Sequence, residues 1–176
     1  MEARVTNNGS ADRLTMVEAI QQGLVNTEVY KKLSLIKHSD IHLPKKFPRL
    51  NEQNKFRNSC AIALAGATPF FDGAEMAWVY AVGPGLPVTF EELEPKDTDN
   101  VRFRCLEHPF SIALRKILSP KLMTEVTAKE EKMSRMTPPK MIGGRQMLWM
   151  IYDFLNTDRW SAATNDYLDL PSIPKI

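Results

Sequence analysis

Apolar residues recur at helical spacing near the start of the chain. In the first stretch the apolar positions are Leu14, Val17, Ile20 and Leu24. This three-to-four-residue period is typical of an amphipathic helix, and Gly23 is placed to end it in a left-handed cap. A second helix is predicted from Asn26 or Thr27 to Ile36. Together the two segments predict a helical hairpin.

Four later segments also have helical signals. They are Phe56–Ala67, a segment opened by Pro109, Lys121–Met136 and Gln146–Leu155. The alanine-rich stretch CAIALAGA in the first of them predicts a closely packed, buried helix. Pro109 suits the first turn of a helix, because the N–H that proline lacks would be unpaired there. Thr157 is placed to cap one last helix.

Two segments have the pattern of strands instead. Met76–Val82 is rich in aromatic and β-branched residues and stops at the sequence Gly-Pro-Gly, which is typical of a strand followed by a turn. Val101–Leu106 alternates strictly, so Phe103 and Cys105 would share one face and the two arginines between them the other. These two strands predict a small antiparallel sheet.

The elements together predict an α+β fold, a mostly helical single domain with a small sheet. The domain is expected over residues 13–170, with a flexible arm at 1–12 and an extended tail at 171–176. A chain of 176 residues with 43% hydrophobic positions suffices for one apolar core. The first 15 residues are polar and no apolar run approaches a membrane span. An intracellular, cytoplasmic protein is therefore expected, with Cys60 and Cys105 as reduced core thiols.

Three connecting segments are marked by their composition. His38–Leu50 is basic and holds Pro44 and Pro48, which exclude a regular helix or a central strand. Residues 83–100 form an acidic loop. The stretch TPPKMIGG at 137–144 breaks the chain twice and predicts an exposed, functional loop.

Charge is segregated along the chain. Residues 1–60 carry 10 Lys and Arg against 6 Asp and Glu, residues 61–100 carry 1 against 7, and residues 101–150 carry 10 against 4. Blocks of this kind favour an acidic partner, either nucleic-acid phosphates or anionic lipid headgroups. The residues predicted to bind it are Lys31, Lys32, Lys45, Lys46, Arg102, Arg104, Arg115 and Lys116.

The acidic loop is a candidate surface for self-association. Glu91, Glu92 and Glu94 lie between the two basic blocks in the sequence. An acidic region of one copy facing a basic region of the next, with Arg102 and Arg104 as candidates, makes a contact that need not close into a dimer. The hypothesis is therefore a homo-oligomer that grows into rings or filaments.

No motif indicates an enzyme, a cofactor or a metal. The three histidines, His38, His42 and His108, lack the converging ligands of a metal site. The glycines form neither a phosphate loop nor a dinucleotide fingerprint, and no paired-carboxylate or nucleophile-elbow signature occurs. The sequence predicts a non-enzymatic protein with no cofactor and no small-molecule substrate.

Two short resemblances concern the N-terminal hairpin. Between Glu18 and Leu33, the positions of Ala19, Gly23 and Val29 have the spacing of a helix-turn-helix motif, so a nucleic-acid-binding regulator is one alternative function. The stretch LTMVEAIQQGLVNTEVYKKL also resembles half of a plakin repeat, but the repetition that defines such arrays is absent. A host or cytoskeletal adaptor remains a further alternative.

A longer resemblance is to the rhabdovirus matrix proteins. It consists of AGATPF at 65–70, the set Glu107, His108, Pro109, Phe110, Ile112 and Leu114, and MIYDFLN at 150–156, in that order. The chain lacks the lysine-dense arm and the PPxY motif that many members have. The resemblance implies an α+β domain in the virion interior that self-associates, condenses the nucleocapsid and touches the inner membrane face.

Overall fold

The computed structural model describes residues 27–28, 31–32, 35–70 and 72–168, with side chains for all of these except His38 and 158–168. The α-helices are α1 (Gln53–Ala67), α2 (Ala74–Tyr80), α3 (Val101–Arg115), α4 (Pro120–Ser134) and α5 (Gly144–Leu168). Two 3-10 turns precede them, at His38–Asp40 and Leu50–Glu52. The predicted arm, the tail, the first helix of the hairpin and most of the helix-turn-helix and plakin-like stretch lie outside this part of the chain.

The predicted sheet is wrong: the described ranges contain helices and no strand. The segment Met76–Val82 belongs largely to α2, which begins after Gly73 in the left-handed conformation (φ 71°). Glu75, Trp78 and Val79 are buried in α2 at the i, i+3 and i+4 positions. Burial on one helical face outweighs the weak strand preference of aromatic and β-branched residues.

The segment Val101–Leu106 is also helical, as the first turns of α3. The Asn100 side chain caps this helix by accepting a hydrogen bond from the backbone N–H of Arg102 at 3.0 Å. Beyond the six alternating residues the buried positions have helical spacing, with Leu106, Phe110 and Leu114 at 0% exposure. A strict alternation over six residues is too short to exclude a helix that the following nine residues extend.

Two predicted helix starts are also wrong. Pro109 lies inside α3 rather than at its first turn, so the carbonyl of Cys105 lacks its usual helical N–H partner. Thr157 lies within α5, which continues through it to Leu168. Threonine is a capping residue only where the chain before it is not helical.

The other helices are confirmed with shifted ends. The helices predicted at Phe56–Ala67, Lys121–Met136 and Gln146–Leu155 correspond to α1, α4 and α5. At the start of α4, Pro120 follows Ser119, whose hydroxyl accepts a hydrogen bond from Leu122 N. This is the usual chemistry of a helix N-terminus, a capping serine followed by proline at the first helical position.

The core lies where α3 packs along α5 and α1 packs against α2. Its fully buried side chains include Leu64, Val79, Leu106, Phe110, Leu114, Leu122, Met147, Leu148 and Ile151. Both cysteines are free thiols, Cys60 fully buried and Cys105 half-buried, and burial raises the pKa of each. In the ranges above, no helix combines the length and apolarity that crossing a bilayer requires.

Candidate anion-binding surface

The three arginines predicted to bind an acidic partner lie in ion pairs within the chain. Arg102 is the most deeply engaged: its guanidinium donates to both carboxylate oxygens of Asp72 at 2.7 Å and to both of Glu75 at 2.6 Å. The Glu75 side chain is 0% exposed, and the guanidinium also stacks on Phe70, 4.1 Å from the ring centre. The Arg102 guanidinium holds the pKa of Asp72 down at about 2. Arg102 therefore joins α2 to α3.

Arg104 and Arg115 make simpler contacts. Arg104 pairs with Asp97 at 3.4 Å and donates to its backbone carbonyl at 3.1 Å. Arg115 of α3 pairs with Glu130 of α4. A guanidinium that already has a carboxylate partner binds a second anion less readily, because the first pair must be broken or shared.

The acidic residues predicted for self-association are also partly engaged. Glu92 accepts hydrogen bonds from the backbone N–H of Thr89 at 2.8 Å and from its hydroxyl at 3.1 Å. These bonds lower the pKa of Glu92. Glu94 pairs with Lys140, in the loop that the sequence marked as exposed, at 2.5 Å. Glu91 is exposed and has no ion pair within the described part of the chain.

The predicted lysines are all exposed at the surface. Lys31 lies 3.4 Å from Glu28, and both side chains are about two-thirds exposed. Lys32, Lys45, Lys46 and Lys116 have no ion pair with any residue that the structure describes. Unlike the three arginines, these four lysines have no carboxylate partner among the described residues.

The lysines converge because residues 41–48 run along the surface between α1 and α3. Two prolines keep this segment extended, and it is held down by the buried side chains of Ile41 and Pro48 and by an edge-on contact of Phe47 with Phe154, 6.0 Å between ring centres. At its start the carboxylate of Asp40 accepts a hydrogen bond from Lys37 N at 2.8 Å. Lys45 and Lys46 lie between these anchored residues, and both side chains are exposed to solvent.

The segment creates a concave site on each side of it. On one side Lys45 and Lys116, which are far apart in sequence, line a cavity of about 420 Å³ together with His42 and Ser39. On the other side Lys46 and Lys55 line a smaller cavity of about 200 Å³. We call these the Lys45–Lys116 cavity and the Lys46–Lys55 cavity.

A larger groove of about 1100 Å³ adjoins both cavities and has Lys32 on its rim. It shares His42 and Leu43 with the Lys45–Lys116 cavity and Pro44 and Ser59 with the Lys46–Lys55 cavity. The five lysines of these three concavities form what we call the lysine surface. Its members are Lys32, Lys45, Lys46, Lys55 and Lys116.

Sequence reasoning missed two residues of this site. Lys55 follows the basic segment in sequence but lies on α1. Because Phe56 next to it is buried, Lys55 is expected on the exposed side of this helix, and it is exposed. His42 was considered only as a metal ligand, whereas the structure places it between Lys45 and the groove. Within the described residues no group of three or more metal-ligating side chains comes together.

No family profile, characterised protein or solved structure matches this chain.

Proposed function

We propose that this protein is a non-enzymatic assembly protein that binds the phosphate backbone of a nucleic acid, RNA in the first instance, through the lysine surface. One observation carries the proposal: Lys45 and Lys116, far apart in sequence, line one cavity and have no internal ion pair with a described residue. A lysine is a point charge on a flexible stem, which suits phosphate contacts along a mobile strand.

The shape of the surface favours a nucleic acid over a membrane. A lipid bilayer is flat on the scale of one domain, so lysines that bind it are expected on a planar or protruding face. Here the lysines line concavities instead, on either side of an extended segment. A phosphate chain narrow enough to follow a groove reaches such charges, and headgroups in a bilayer do not. Binding to anionic vesicles without binding to RNA is therefore the outcome of the test that would contradict the proposal.

The first prediction concerns the salt dependence of RNA binding. If four lysines contact phosphates, the affinity for single-stranded RNA should fall about 50-fold between about 50 mM and about 200 mM salt, because each contact releases condensed counterions. The double variant Lys45→Glu with Lys116→Glu should bind on the order of tenfold more weakly at low salt and show about half the salt slope. Fluorescence anisotropy with a labelled RNA measures both quantities.

A matched control separates the surface from the net charge. Lys132→Glu with Arg135→Glu makes the same change in charge on exposed residues of α4 and the turn after it, away from the three concavities. This variant should keep most of the affinity and the full salt slope. Equal losses in the two double variants, or wild-type binding to anionic vesicles but not to RNA, would refute the lysine surface as a nucleic-acid site.

The assembly part of the proposal is supported by the resemblance to matrix proteins and by the one acidic side chain left available in the predicted set. Arg102 and Arg104 are engaged internally, so we place the complementary basic region at the lysine surface of the next copy. The acidic contribution comes from Glu91, which is exposed. A contact between two different surfaces propagates instead of closing on itself.

The second prediction tests that contact. Glu91→Lys should raise the protein concentration at which assemblies form by on the order of threefold to tenfold, since an attractive exposed pair becomes a repulsive one. Glu125→Lys, the same change on an exposed position of α4, should leave that concentration unchanged. Light scattering against concentration at low salt measures it. Identical curves for wild type and Glu91→Lys would remove Glu91 from the assembly surface.

A further inference from the structure

The groove beside the lysine surface exposes large apolar side chains. Among its lining residues Leu35 is 77% exposed and Ile62 of α1 is 55% exposed. Gly66 of α1 also lines the groove, and an added Cβ there would meet no atom within 4 Å. Apolar side chains lining a concavity of this size are typical of a surface that a partner covers.

Helix α1 has one face in the core and an opposite face exposed to solvent. Cys60, Ala61 and Leu64 point into the core and are fully buried. Ile62 and Gly66, on the opposite side of the helix, are exposed, although the sequence predicts a closely packed, buried helix. The alanine-rich stretch therefore builds a core face and a second, apolar outer face. No residue described by the structure covers the outer face at Ile62.

The charges around the groove identify the kind of partner. Lys32 and Asp40 both line the groove, so its excess of positive charge comes from the adjoining lysine cavities, to which the shared residues His42, Leu43, Pro44 and Ser59 connect it. A purely apolar partner, such as a helix face, would leave Lys45 and Lys116 in the adjoining cavity without a counter-charge. A partner with anionic groups along one edge and flat apolar groups along the other can contact both the lysines and the apolar groove.

We propose that this groove binds the unpaired bases of a single-stranded nucleic acid whose phosphates lie on the lysine surface. This inference rests on the proposed function and specifies its substrate class. Bases in a duplex are stacked and paired, so their faces cannot reach the side chains of Leu35 and Ile62, whereas the bases of a single strand turn outward from the backbone. The imidazole of His42, at the boundary between groove and cavity, contributes a flat ring and a hydrogen-bonding edge.

The test compares three polyanions that differ in whether bases are present and accessible. They are a single-stranded RNA, the duplex of the same sequence and inorganic polyphosphate, which has no bases. The wild type should bind the single strand on the order of tenfold more tightly than polyphosphate of equal charge. The double variant Leu35→Asn with Ile62→Asn should lose most of this preference and bind polyphosphate as the wild type does, because no charge has changed.

The fold and the surface are controlled separately. Leu35 and Ile62 are exposed, so asparagine there should leave the circular dichroism and the melting temperature nearly unchanged. Met141→Asn, at a position 68% exposed outside the groove, should retain the preference for single strands.

The outcomes distinguish this inference from the proposal beneath it. Equal affinity of the wild type for single strand, duplex and polyphosphate, or an unchanged preference in the Leu35→Asn and Ile62→Asn variant, overturns the base-binding groove. If polyphosphate binding still depends on Lys45 and Lys116 in that case, the phosphate-binding function stands without it. Absence of salt-dependent binding to any of the three polyanions refutes both.

Discussion

Replacing Arg102 by alanine is expected to lower the free energy of unfolding by about 3–5 kcal/mol. The reason is Glu75, whose side chain is 0% exposed and depends on this guanidinium for its charge partner. Removing one partner of a buried ion pair leaves the other charge in a medium that solvates it poorly. Chemical denaturation monitored by circular dichroism gives the value directly.

Two further variants make this prediction specific to the buried pair. Arg104→Ala should change the free energy of unfolding by less than about 1 kcal/mol, because its partner Asp97 is exposed and screened by water. Adding Glu75→Gln to Arg102→Ala should recover part of the loss, since no unpaired charge is then buried. If Arg102→Ala and Arg104→Ala are equally mild, Arg102 does not hold α2 to α3 through Glu75.

The ion pairs of Arg102 could not be predicted from the sequence. The sequence shows that residues 102 and 104 are basic, and that the preceding segment is acidic. It does not show that Asp72 and Glu75, some thirty residues earlier, reach one guanidinium from the start of α2. An ion pair between elements depends on the packing of those elements. Charge segregation along the chain therefore overstated how much positive charge is free at the surface.

The lysines show the opposite case. A proline-containing segment such as residues 44–48 forms no regular helix or strand and therefore lies at the surface. The exposure of a lysine within it is predictable from composition. Lys45 and Lys46 are exposed, in agreement with the prediction. What was not predictable is that Lys116, at the end of α3, joins Lys45 at one cavity. That juxtaposition requires the contact of the His38–Asp40 turn with α3.

The wrong strands have a related cause. Apolar and basic residues alternate strictly over Val101–Leu106, yet the segment is helical. Within this helix Arg102 contacts Glu75 of α2, and Arg104 contacts Asp97 of the preceding loop. The alternating pattern of these six residues is outweighed by two helical signals together, the Asn100 cap and the long stripe of buried residues along the helix. Long periodic segments such as α4 and the first part of α5 were predictable because their helical signal extends over several turns.

The second large effect is expected at the start of α5. Glu107 of α3 is nearly buried and accepts hydrogen bonds from the backbone N–H and the Nε–H of Arg145, both at 3.0 Å. The guanidinium of Arg145 in turn stacks over Trp78, 4.9 Å from the ring centre. Glycine is required at 143, where a Cβ would approach the Glu107 carboxylate to 2.7 Å. The carboxylate thus anchors the first turn of α5 to α3.

Arg145→Ala should lower the free energy of unfolding at neutral pH by about 3 kcal/mol, because the Glu107 carboxylate keeps only backbone donors. Burial raises the pKa of Glu107, and the charge of Arg145 opposes that rise. In the variant the folded-state pKa is therefore higher still, the folded protein binds more protons than the unfolded chain, and stability falls as pH rises. Between about pH 5 and pH 7 the variant should lose stability more steeply than the wild type does.

Melting temperatures across this pH range, for the wild type, Arg145→Ala and Arg145→Ala with Glu107→Gln, test the argument. The double variant has no carboxylate to protonate at this position, so its stability relative to the wild type should lack the steep fall of the single variant and should exceed that of Arg145→Ala at pH 7. A stability loss in Arg145→Ala that is the same at pH 5 and pH 7 would show that the contact with Trp78, which does not titrate, carries the effect of Arg145 instead of its pairing with Glu107.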